Sequence, residues 1–507
     1  MWPKTLSEIA RILEVPVPAL AGKGSTEISS FSTDSRKIGS GELFVAIRGE
    51  SHDGHQFIDA ALLKGAVGAI VESKWLKTNP QFADRCFAVD DTTRALRTLG
   101  KAFRSEFGFP LLAVGGSNGK TTTKEMLACL LHSPQNHITR THKSENGFLG
   151  LAITLTQKAH NKHNPPGALV AEIGIDDIGA MTEHVQIAQP DVALLTALGP
   201  EHLAGLGSWE NAVSEELILF RNAPQQCRRV WQLCEPKLLE VSNEIRENDV
   251  IVFNKSESKS YPAHISRLLS SRKISSLIFD IKEMRATRTI VHAEWSGNTN
   301  AESTGQWQTE FSIPMPGIHN VQNFALALAT AALIGRSSEQ LMTAWQSFTP
   351  PEMRSRIIEL NKGVTLLDDC YNASPASMNA AFEALLSDEW RTRHKIVVLG
   401  DMLDLGGESK SWHLNLIEKL IKIENSDLCL FGTAMYDVFK EIKTNYSREL
   451  QSGKIRLTHA GPDTNPAQFI DELSSRLPGS VVLVKGSRGM DLGRFVKSCE
   501  AWSTAQG

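Results

Sequence analysis

The feature that most constrains the fold is a glycine-rich turn between an apolar strand and a helical pattern. The apolar run Leu111–Val114 leads into the turn, and the helical pattern starts at Lys124. The turn consists of Gly116, Ser117, Asn118, Gly119, Lys120, Thr121, Thr122 and Thr123. This order is typical of a phosphate loop, because glycines let backbone N–H groups face phosphates and the helix N-terminus adds positive charge. Val114 stands where the usual eight-residue form of the motif has its first glycine. The alternative to a phosphate loop is an ordinary strand–helix turn with an incidental lysine.

Side chains suited to nucleotide chemistry lie in this turn and after two further apolar strands. Lys120 would neutralise the β- and γ-phosphates, and the Thr121 hydroxyl would bind Mg²⁺. Glu172 follows the run Ala168–Ala171, and His202 follows a second run after it. Ligands of α/β sheets bind at the carboxyl ends of the strands, where a carboxylate can hold Mg²⁺ against the γ-phosphate. On pattern alone, Glu172 could instead cap the next turn and His202 could be a hydrogen-bonding loop residue.

The chain divides into three predicted α/β domains. Its 507 residues, at about 150 residues per domain, predict roughly three units. We place boundaries at a glycine- and proline-containing hinge near 105–110 and at the paired prolines near 349–352. Residues 1–108 then form a small N-terminal α/β domain, 109–348 a central P-loop-type mononucleotide-binding domain, and 349–507 a C-terminal Rossmann-like domain. Strand–helix alternation in the last two blocks predicts doubly wound parallel sheets.

Composition excludes several classes of protein. Lys+Arg number 53 and Asp+Glu 57, a net charge of -4, which argues against a broadly basic nucleic-acid-binding protein. No apolar run approaches the roughly 18 residues of a membrane span, and the first residues lack the apolar core of a signal peptide. The seven cysteines show no zinc or redox spacing. We therefore expect a cytoplasmic protein with no nucleic-acid partner and no membrane span.

Motifs in all three blocks resemble the ATP-dependent Mur ligase family over nearly the whole chain. These are Thr33-Asp34-Ser35-Arg36, Glu172-Ile173-Gly174, His202, the segment 316–323, the segment 368–375, the segment 399–406 and Lys485-Gly486-Ser487-Arg488. The resemblance implies a uridine-nucleotide-binding first domain, ATP and Mg²⁺ as cofactors, and an ADP-forming acid–amino-acid ligase. In that chemistry, a substrate carboxylate takes the γ-phosphoryl group, and an amine then attacks the acyl phosphate.

The C-terminal motifs resemble one branch of the family in particular. The segment 368–375 reads DDCYNASP and is followed by Ser377-Met378. Together with the KGSR motif, it is similar to the branch that adds D-alanyl-D-alanine to UDP-N-acetylmuramoyl-tripeptide. The DNPR-type motif expected of the branch that adds the third residue is absent from the sequence. The resemblance implies small-molecule substrates and a role in peptidoglycan biosynthesis, cell wall biogenesis, cell shape and cell division; we also expect a monomer.

The resemblance assigns roles to individual residues. Phosphate-binding residues would be Gly116, Ser117, Asn118, Gly119, Lys120, Thr121 and Thr122. Adenine would meet Asn320 and Asn323. Arg354 and Asp369 would reach the ribose and phosphates from the C-terminal block, so the site would be completed by domain closure. Thr121 and Glu172 would hold a first Mg²⁺, and His202 a second. Substrate contacts would come from Ser35, Asn146, Asn372, Lys485 and Arg488, although Lys485 and Arg488 could also be solvated loop charges.

Two departures from the family pattern keep alternatives open. The family carries a lysine carbamylated by CO₂ about fourteen residues after the histidine, where this chain has Glu216. We expect Glu216 to act with Lys120 and His202 in catalysis by replacing the carbamate as a metal ligand. Its carboxyl carbon lies roughly 3–4 Å nearer the backbone, so a water or a shifted helix would be required. A solvated surface glutamate or reduced activity are the alternatives.

The second departure lies in the segment 141–150, where Ser144 and Gly147 stand at asparagine positions of the family and Asn146 matches. An acceptor substrate different from that of the family is therefore an alternative. The competing functions are a divergent ligase of the same family that joins another amine and carboxylate, such as a folate-polyglutamate ligase, and a non-catalytic paralogue. The motif around Ser35 argues against the folate branch. Intact Lys120, Thr121, Glu172 and His202 argue against loss of catalysis, whereas Glu216 and Ser144 argue for it.

Overall fold

The computed structural model describes residues 1–19, 24–49, 52–134, 137–143, 146–270, 274–297 and 305–506. These residues form four sheets, of two, four, nine and six strands. Single stretches of 3-10 helix lie at Gly54–Phe57, Pro80–Arg85, Ser242–Glu244, Lys255–Ser260, Asn361–Gly363, Asp388–Trp390, Gly406–Glu408, Pro466–Gln468 and Arg488–Met490. None of the helices in the described ranges has the length and apolar content that a bilayer span requires.

The N-terminal block is a small parallel sheet flanked by helices. Its strands are β1 (Lys4–Thr5), β2 (Glu27–Ile28), β3 (Ser30–Ser32), β4 (Glu42–Val45), β5 (Gly68–Glu72) and β6 (Cys86–Val89), and its helices are α1 (Leu6–Leu13), α2 (Ile58–Leu63), α3 (Ser73–Thr78) and α4 (Thr92–Arg104). Strands β3 to β6 pair in parallel in chain order, and β1 pairs with β2 antiparallel. A capping box between Thr5 and Glu8 starts α1 at Leu6.

The central block is built on a nine-stranded sheet with the order β15-β14-β13-β12-β11-β10-β7-β9-β8. Its strands are β7 (Leu111–Gly115), β8 (Ile138–Arg140), β9 (Ala168–Glu172), β10 (Val192–Leu195), β11 (Arg228–Gln232), β12 (Val250–Asn254), β13 (Ser275–Met284), β14 (Thr289–Ser296) and β15 (Gln306–Ile313). Strands β7 to β13 pair in parallel, while β14 and β15 extend the sheet antiparallel. The parallel part follows the predicted pattern of short apolar runs, and the antiparallel extension was not predicted.

Helices cover both faces of this sheet. They are α5 (Lys120–Leu131), α6 (Phe148–Leu155), α7 (Ala180–Ala188), α8 (Leu203–Leu206), α9 (Trp209–Arg221), α10 (Pro236–Glu240), α11 (Ala263–Ser270), α12 (Ile318–Leu333) and α13 (Ser338–Trp345). Helices α5 and α12 form one apolar core with the sheet, and α7 and α9 contribute to a second core on the opposite face. The phosphate loop between β7 and α5 therefore rests on a rigid, doubly covered sheet.

The C-terminal block is a six-stranded sheet with the order β16-β17-β21-β18-β19-β20. Its strands are β16 (Arg356–Leu360), β17 (Val364–Asp369), β18 (Lys395–Gly400), β19 (Ser426–Phe431), β20 (Ile455–Ala460) and β21 (Val481–Lys485). Its helices are α14 (Pro375–Leu385), α15 (Ser409–Leu414), α16 (Ile417–Leu420), α17 (Thr433–Asn445), α18 (Ser447–Gln451), α19 (Phe469–Leu473) and α20 (Gly493–Ala505). Only β16 among these strands pairs antiparallel, so the predicted Rossmann-like arrangement is confirmed.

The three blocks contact one another closely. Ala152 of α6 belongs to the apolar core of the N-terminal block, and Ala286, between β13 and β14, belongs to a core of the C-terminal block. The amide of Ala286 also donates to Glu389 Oε2 over 3.0 Å. The domain boundaries at 108/109 and 348/349 fall between α4 and β7 and between α13 and β16; they stay predictions.

Candidate active site

The phosphate loop joins β7 to α5 and is shaped by two glycines in the left-handed region. Gly116 has φ +109 and Gly119 has φ +94. A Cβ on Gly119 would lie 2.5 Å from Asn323 Oδ1, so only glycine fits against α12. Helix α5 begins at Lys120, four residues before the predicted start. Gly119, whose backbone is in the left-handed region, directly precedes this first helical residue. Lys120 to Thr123 are thus the first turn of the helix, whose N-terminal end favours an anion.

Lys120 is buried and bonded to the loop that carries it. Its Nζ donates to Gly116 O over 2.6 Å and to Ser117 O over 2.9 Å. Glu201 Oε2 lies 3.5 Å from the same nitrogen. Burial lowers the pKa of Lys120, but Glu201, Glu216 and Glu172 together raise it above the ordinary lysine value. The side chain is therefore an ammonium ion at neutral pH, positioned where phosphate oxygens would replace its backbone acceptors.

Thr121 and Glu172 form a pair of hard oxygen donors beside the loop. The Thr121 hydroxyl donates to Glu172 Oε1 over 3.0 Å, and Asn146 Nδ2 donates to the same oxygen over 2.9 Å. Lys124 Nζ lies 3.2 Å from Glu172 Oε2 and balances its buried charge. Oxygen ligands of this kind suit Mg²⁺, which usually binds one or two protein groups plus phosphates and waters. The described residues contain no preformed cluster of three or more acidic, histidine or cysteine side chains for a metal.

His202 lines the same cavity as this pair and directly precedes α8. It adopts the left-handed region, with φ +53. Its Nδ1 is 3.7 Å from Asp176 Oδ1, and its Nε2 is 3.7 Å from Glu201 Oε1. Sequence reasoning assigned no role to Asp176 or Glu201, although Glu201 directly precedes His202. The site therefore carries more negative charge near His202 than the sequence indicated.

The C-terminal block contacts the phosphate loop directly. Arg354 Nη2 donates to the Thr121 hydroxyl over 3.0 Å, and its guanidinium lies 4.1 Å from the centre of the Tyr371 ring. Ser374 Oγ donates to Asn118 Oδ1 over 2.9 Å. These contacts bring the C-terminal motifs and the loop into one site.

A buried ion pair fixes the C-terminal side of the cavity. Lys485 is 1% exposed, and its Nζ donates to Asp369 Oδ2 over 2.5 Å and to Asn372 O over 3.2 Å. The Ser355 amide donates to Asp369 Oδ1 over 2.9 Å. Lys485 is therefore not a solvated loop charge, whereas Arg488 is exposed at the rim of the same cavity.

The first turn of α12 also lines this cavity. Asn320 Nδ2 donates to Pro316 O over 2.8 Å, which orients the amide. His319 lies beside it, and burial lowers the pKa of His319 to about 4, so its ring is neutral at pH 7. In the part of the chain that the structure describes, His319 Nδ1 has no hydrogen-bond partner. The sequence motif included His319, but no role was assigned to it.

Most of these groups line one cavity of about 300 Å³. The predicted residues that line it are Ser117, Asn118, Gly119, Lys120, Thr121, Thr122, Asn146, Glu172, His202, Asn320, Asn323, Arg354, Asp369, Asn372, Lys485 and Arg488. Further lining residues without a predicted role include Asp176, Glu201, Gln232, His319, Met353, Ser355 and Tyr371. Gly116, Glu216 and Ser35 are not among the lining residues.

Two predicted features fall elsewhere. Ser35 lies in the turn after β3, in the N-terminal block, two residues after Thr33, which borders a separate cleft of about 280 Å³. That cleft is also lined by Ile153 and Lys158 of the central block. Ser144 lies outside the described residues, so the structure gives no test of the altered acceptor segment there.

Comparisons with known proteins bear on this site directly. The Mur ligase catalytic-domain model matches residues 27–104, the middle-domain model residues 114–331, and the glutamate-ligase-domain model residues 353–488. The chain belongs to the Mur ligase family. It is 28% identical to the UDP-N-acetylmuramoyl-tripeptide–D-alanyl-D-alanine ligase of Bacillus subtilis, over 93% of each chain. Its identity to the ligase of the same name from Escherichia coli is 28%, over 82% of each chain.

Solved structures of Mur ligases share the fold. The MurF ligase of Thermotoga maritima in complex with ADP is 25% identical, with a TM-score of 0.68 over 94% of this chain and 98% of that one. A crystal structure of MurF from Acinetobacter baumannii is 23% identical, with a TM-score of 0.74 over 98% of this chain and 99% of that one. The predicted α/β fold of the family is thereby confirmed.

Glu216 marks the departure of this Mur ligase from the family's carbamylated lysine. Gly116 N–H donates to Glu216 Oε2 over 2.7 Å, in a fully buried position behind the phosphate loop. Burial raises the pKa of Glu216 to about 7, while Lys120 and the Gly116 N–H oppose that rise. The assignment of Glu216 as a metal ligand stays a prediction.

Proposed function

We propose that this chain is an ATP-dependent ligase that joins D-alanyl-D-alanine to UDP-N-acetylmuramoyl-tripeptide in peptidoglycan precursor synthesis, with release of ADP and phosphate. The observation that carries the proposal is the contact at Thr121. Its hydroxyl lies 3.0 Å from Glu172 of the central block and 3.0 Å from Arg354 of the C-terminal block. The phosphate-loop threonine Thr121 is thus in contact with the Glu172 carboxylate of its own block and with the Arg354 guanidinium of the C-terminal block. The names of the curated relatives supply the two substrates.

The reaction proceeds in two steps. A carboxylate oxygen of the tripeptide attacks the γ-phosphorus, the bond to the β-phosphate oxygen breaks, and ADP leaves. The uncharged amine of D-alanyl-D-alanine then attacks the carbonyl carbon of the acyl phosphate. The tetrahedral intermediate collapses to the amide and expels inorganic phosphate, while the amine proton passes to solvent. Both steps are accelerated mainly by positioning and by neutralising charge.

The cationic groups of the cavity match the first step. Lys120 and Arg354 neutralise negative charge on the transferring phosphoryl group, as cations do in other phosphoryl transfers. Thr121 and Glu172 would hold one Mg²⁺ and His202 a second, and bound Mg²⁺ neutralises charge between the β- and γ-phosphates. The loop residues from Gly116 to Thr122 hold the phosphates in this proposal.

The remaining assignments divide between nucleotide and substrates. Asn320 and Asn323 receive adenine, and Asp369 the ribose. The substrate carboxylates lie near Asn372, Lys485 and Arg488. Arg488 suits this role because a guanidinium binds a carboxylate through two parallel hydrogen bonds. Asn146 contacts the acceptor side, and Ser35 the uridine nucleotide.

We infer that the functional unit is a monomer in the cytoplasm. A single chain supplies both halves of the cavity, from the phosphate loop to Lys485. ATP and the small-molecule substrates come from the cytoplasm. Sedimentation of the purified protein at micromolar concentration tests the monomer, and a dimer mass would contradict it.

The proposal is tested by ADP release with each substrate omitted in turn. We expect release only when UDP-muramoyl-tripeptide and D-alanyl-D-alanine are both present, with Lys120→Ala as the blank. Release with a different carboxylate and amine pair would identify a divergent ligase. No release with any pair, in a protein that still binds ATP, would identify a non-catalytic paralogue.

A further inference from the structure

Helix α9 carries two consecutive buried glutamates that each hold a backbone amide of another element. Glu215 is 5% exposed and Glu216 is 2% exposed. Met181 N–H, in the first turn of α7, donates to Glu215 Oε1 over 2.9 Å. Gly116 N–H donates to Glu216 Oε2 over 2.7 Å. Consecutive helical residues point about 100° apart, so the two carboxylates serve two different neighbours.

The backbone that Glu216 contacts is fixed at several points. Thr196 N–H and the Thr196 hydroxyl both donate to Gly115 O over 3.0 Å. A Cβ on Gly115 would lie 3.1 Å from Glu216 Oε2, so the carboxylate is in close contact with the loop from behind. Lys120 Nζ donates to Gly116 O over 2.6 Å. Gly116 is therefore held by Glu216 at its N–H and by Lys120 at its carbonyl.

Glu216 does not line the cavity that the predicted metal donors line. Those donors are Thr121, Glu172 and His202. The Gly116 N–H of the phosphate loop donates the hydrogen bond that Glu216 Oε2 accepts. The Glu216 carboxylate therefore acts on the loop through the Gly116 N–H, and on Lys120 through its charge.

We propose that Glu216 is a positioning residue that fixes Gly116 of the phosphate loop, and through Gly116 the acceptor of Lys120, instead of acting as a metal ligand. This inference rests on the proposed function for its catalytic meaning. The carboxylate is part of the side chain, so the arrangement requires no CO₂. The loop is preorganised for phosphate before ATP arrives, which lowers the cost of binding.

Two binding measurements separate this role from metal ligation. Calorimetry of ADP binding in EDTA measures the affinity of the phosphate loop for ADP without a metal. Mn²⁺ titration of the ADP complex, followed by electron paramagnetic resonance, measures the affinity of the metal site. We expect Glu216→Ala to weaken metal-free ADP binding roughly 10- to 100-fold, the loss of one hydrogen bond to a charged group. Glu216→Gln keeps an acceptor for Gly116 N–H and should stay within about threefold for both ADP and Mn²⁺.

Glu215→Ala is the matched control, because Glu215 has similar burial on the same helix but holds Met181. It should lower the melting temperature without weakening ADP binding. Unchanged ADP affinity in Glu216→Ala, or a Glu216→Gln protein that binds ADP normally and Mn²⁺ more than tenfold more weakly, would overturn the proposal. If Glu216→Ala does not fold, the Glu216→Gln result still decides between the two roles.

These readouts are independent of the ligase reaction. A wild-type protein that binds ADP but forms no amide would contradict the proposed function and leave the Glu216 measurements interpretable. In an active wild-type protein, removal of CO₂ and bicarbonate should leave the rate unchanged. A rate that falls on their removal and returns with bicarbonate would contradict the positioning role.

Discussion

Removal of the Arg354 side chain tests how the C-terminal block completes the nucleotide site. Arg354 Nη2 donates to the Thr121 hydroxyl over 3.0 Å, and the guanidinium lies 4.1 Å from the Tyr371 ring centre. The residue therefore connects the phosphate loop with the DDCYNASP segment. In Arg354→Ala both contacts are lost, and a cation is removed from the cavity where the phosphoryl group transfers.

The expected loss follows from these two contacts. A hydrogen bond from a charged donor contributes about 1.5–3 kcal/mol, and a cation–π contact about 0.5–2 kcal/mol. Their sum, roughly 2–5 kcal/mol, corresponds to a fall in kcat/KM for ATP of about 30- to 5,000-fold at 1.36 kcal/mol per decade. Arg354→Lys keeps the charge but lacks the planar fork that stacks on tyrosine, so a smaller loss of about tenfold is expected.

Steady-state ADP release with saturating peptide substrates measures this loss. Arg494→Ala is a suitable control, because Arg494 is an exposed arginine of the same block, paired with Asp491. An exposed ion pair contributes little, so its kcat/KM should change less than about twofold. An Arg354→Ala protein that is folded and retains kcat/KM within about threefold of wild type would refute the reasoning.

Three further predictions concern the loop and the stability of the central block. Gly119→Ala should lower ADP release more than about 100-fold, because φ is +94 and a Cβ would lie 2.5 Å from Asn323 Oδ1. Burial lowers the pKa of His160 to about 4. In the unfolded chain the His160 imidazole has a pKa near 6.5, so it takes up a proton there before it does in the folded protein. The wild type should therefore lose about 2 kcal/mol of unfolding free energy through this residue between pH 7 and pH 5, whereas His160→Gln should not. Urea titrations at both pH values measure this difference. Asp249→Ala should lower the unfolding free energy by about 3–5 kcal/mol in chemical denaturation, because it leaves the buried Arg229 guanidinium without its carboxylate at 2.5 Å.

Local sequence patterns predicted the elements around the site well. The apolar run Leu111–Val114 becomes β7, and Ala168–Ala171 becomes β9 with Glu172 at its end. Buried parallel strands are short apolar runs, so periodicity and length identify them. The start of α5 was placed four residues late, because the apolar pattern begins after Lys124 whereas the backbone geometry is set by Gly119.

Contacts between distant segments were the part that could not be predicted. Glu216 meets Gly116 across 100 residues of sequence, and nothing in either segment indicates the other. Asp176 and His319 line the cavity because separate strands and helices end at the same edge of the sheet. The family pattern assigns Glu216 to a metal, and that assignment stays a prediction.

The most direct test of phosphoryl transfer to a carboxylate is isotopic. UDP-muramoyl-tripeptide labelled with ¹⁸O in the reacting carboxylate is incubated with ATP, D-alanyl-D-alanine and the enzyme, and the inorganic phosphate is analysed by mass spectrometry. The bridging oxygen of an acyl phosphate leaves with phosphorus when the amine attacks carbon, so each phosphate released should carry one ¹⁸O. Phosphate without ¹⁸O, or label recovered in AMP, would contradict transfer of the γ-phosphoryl group to the carboxylate at the loop around Lys120.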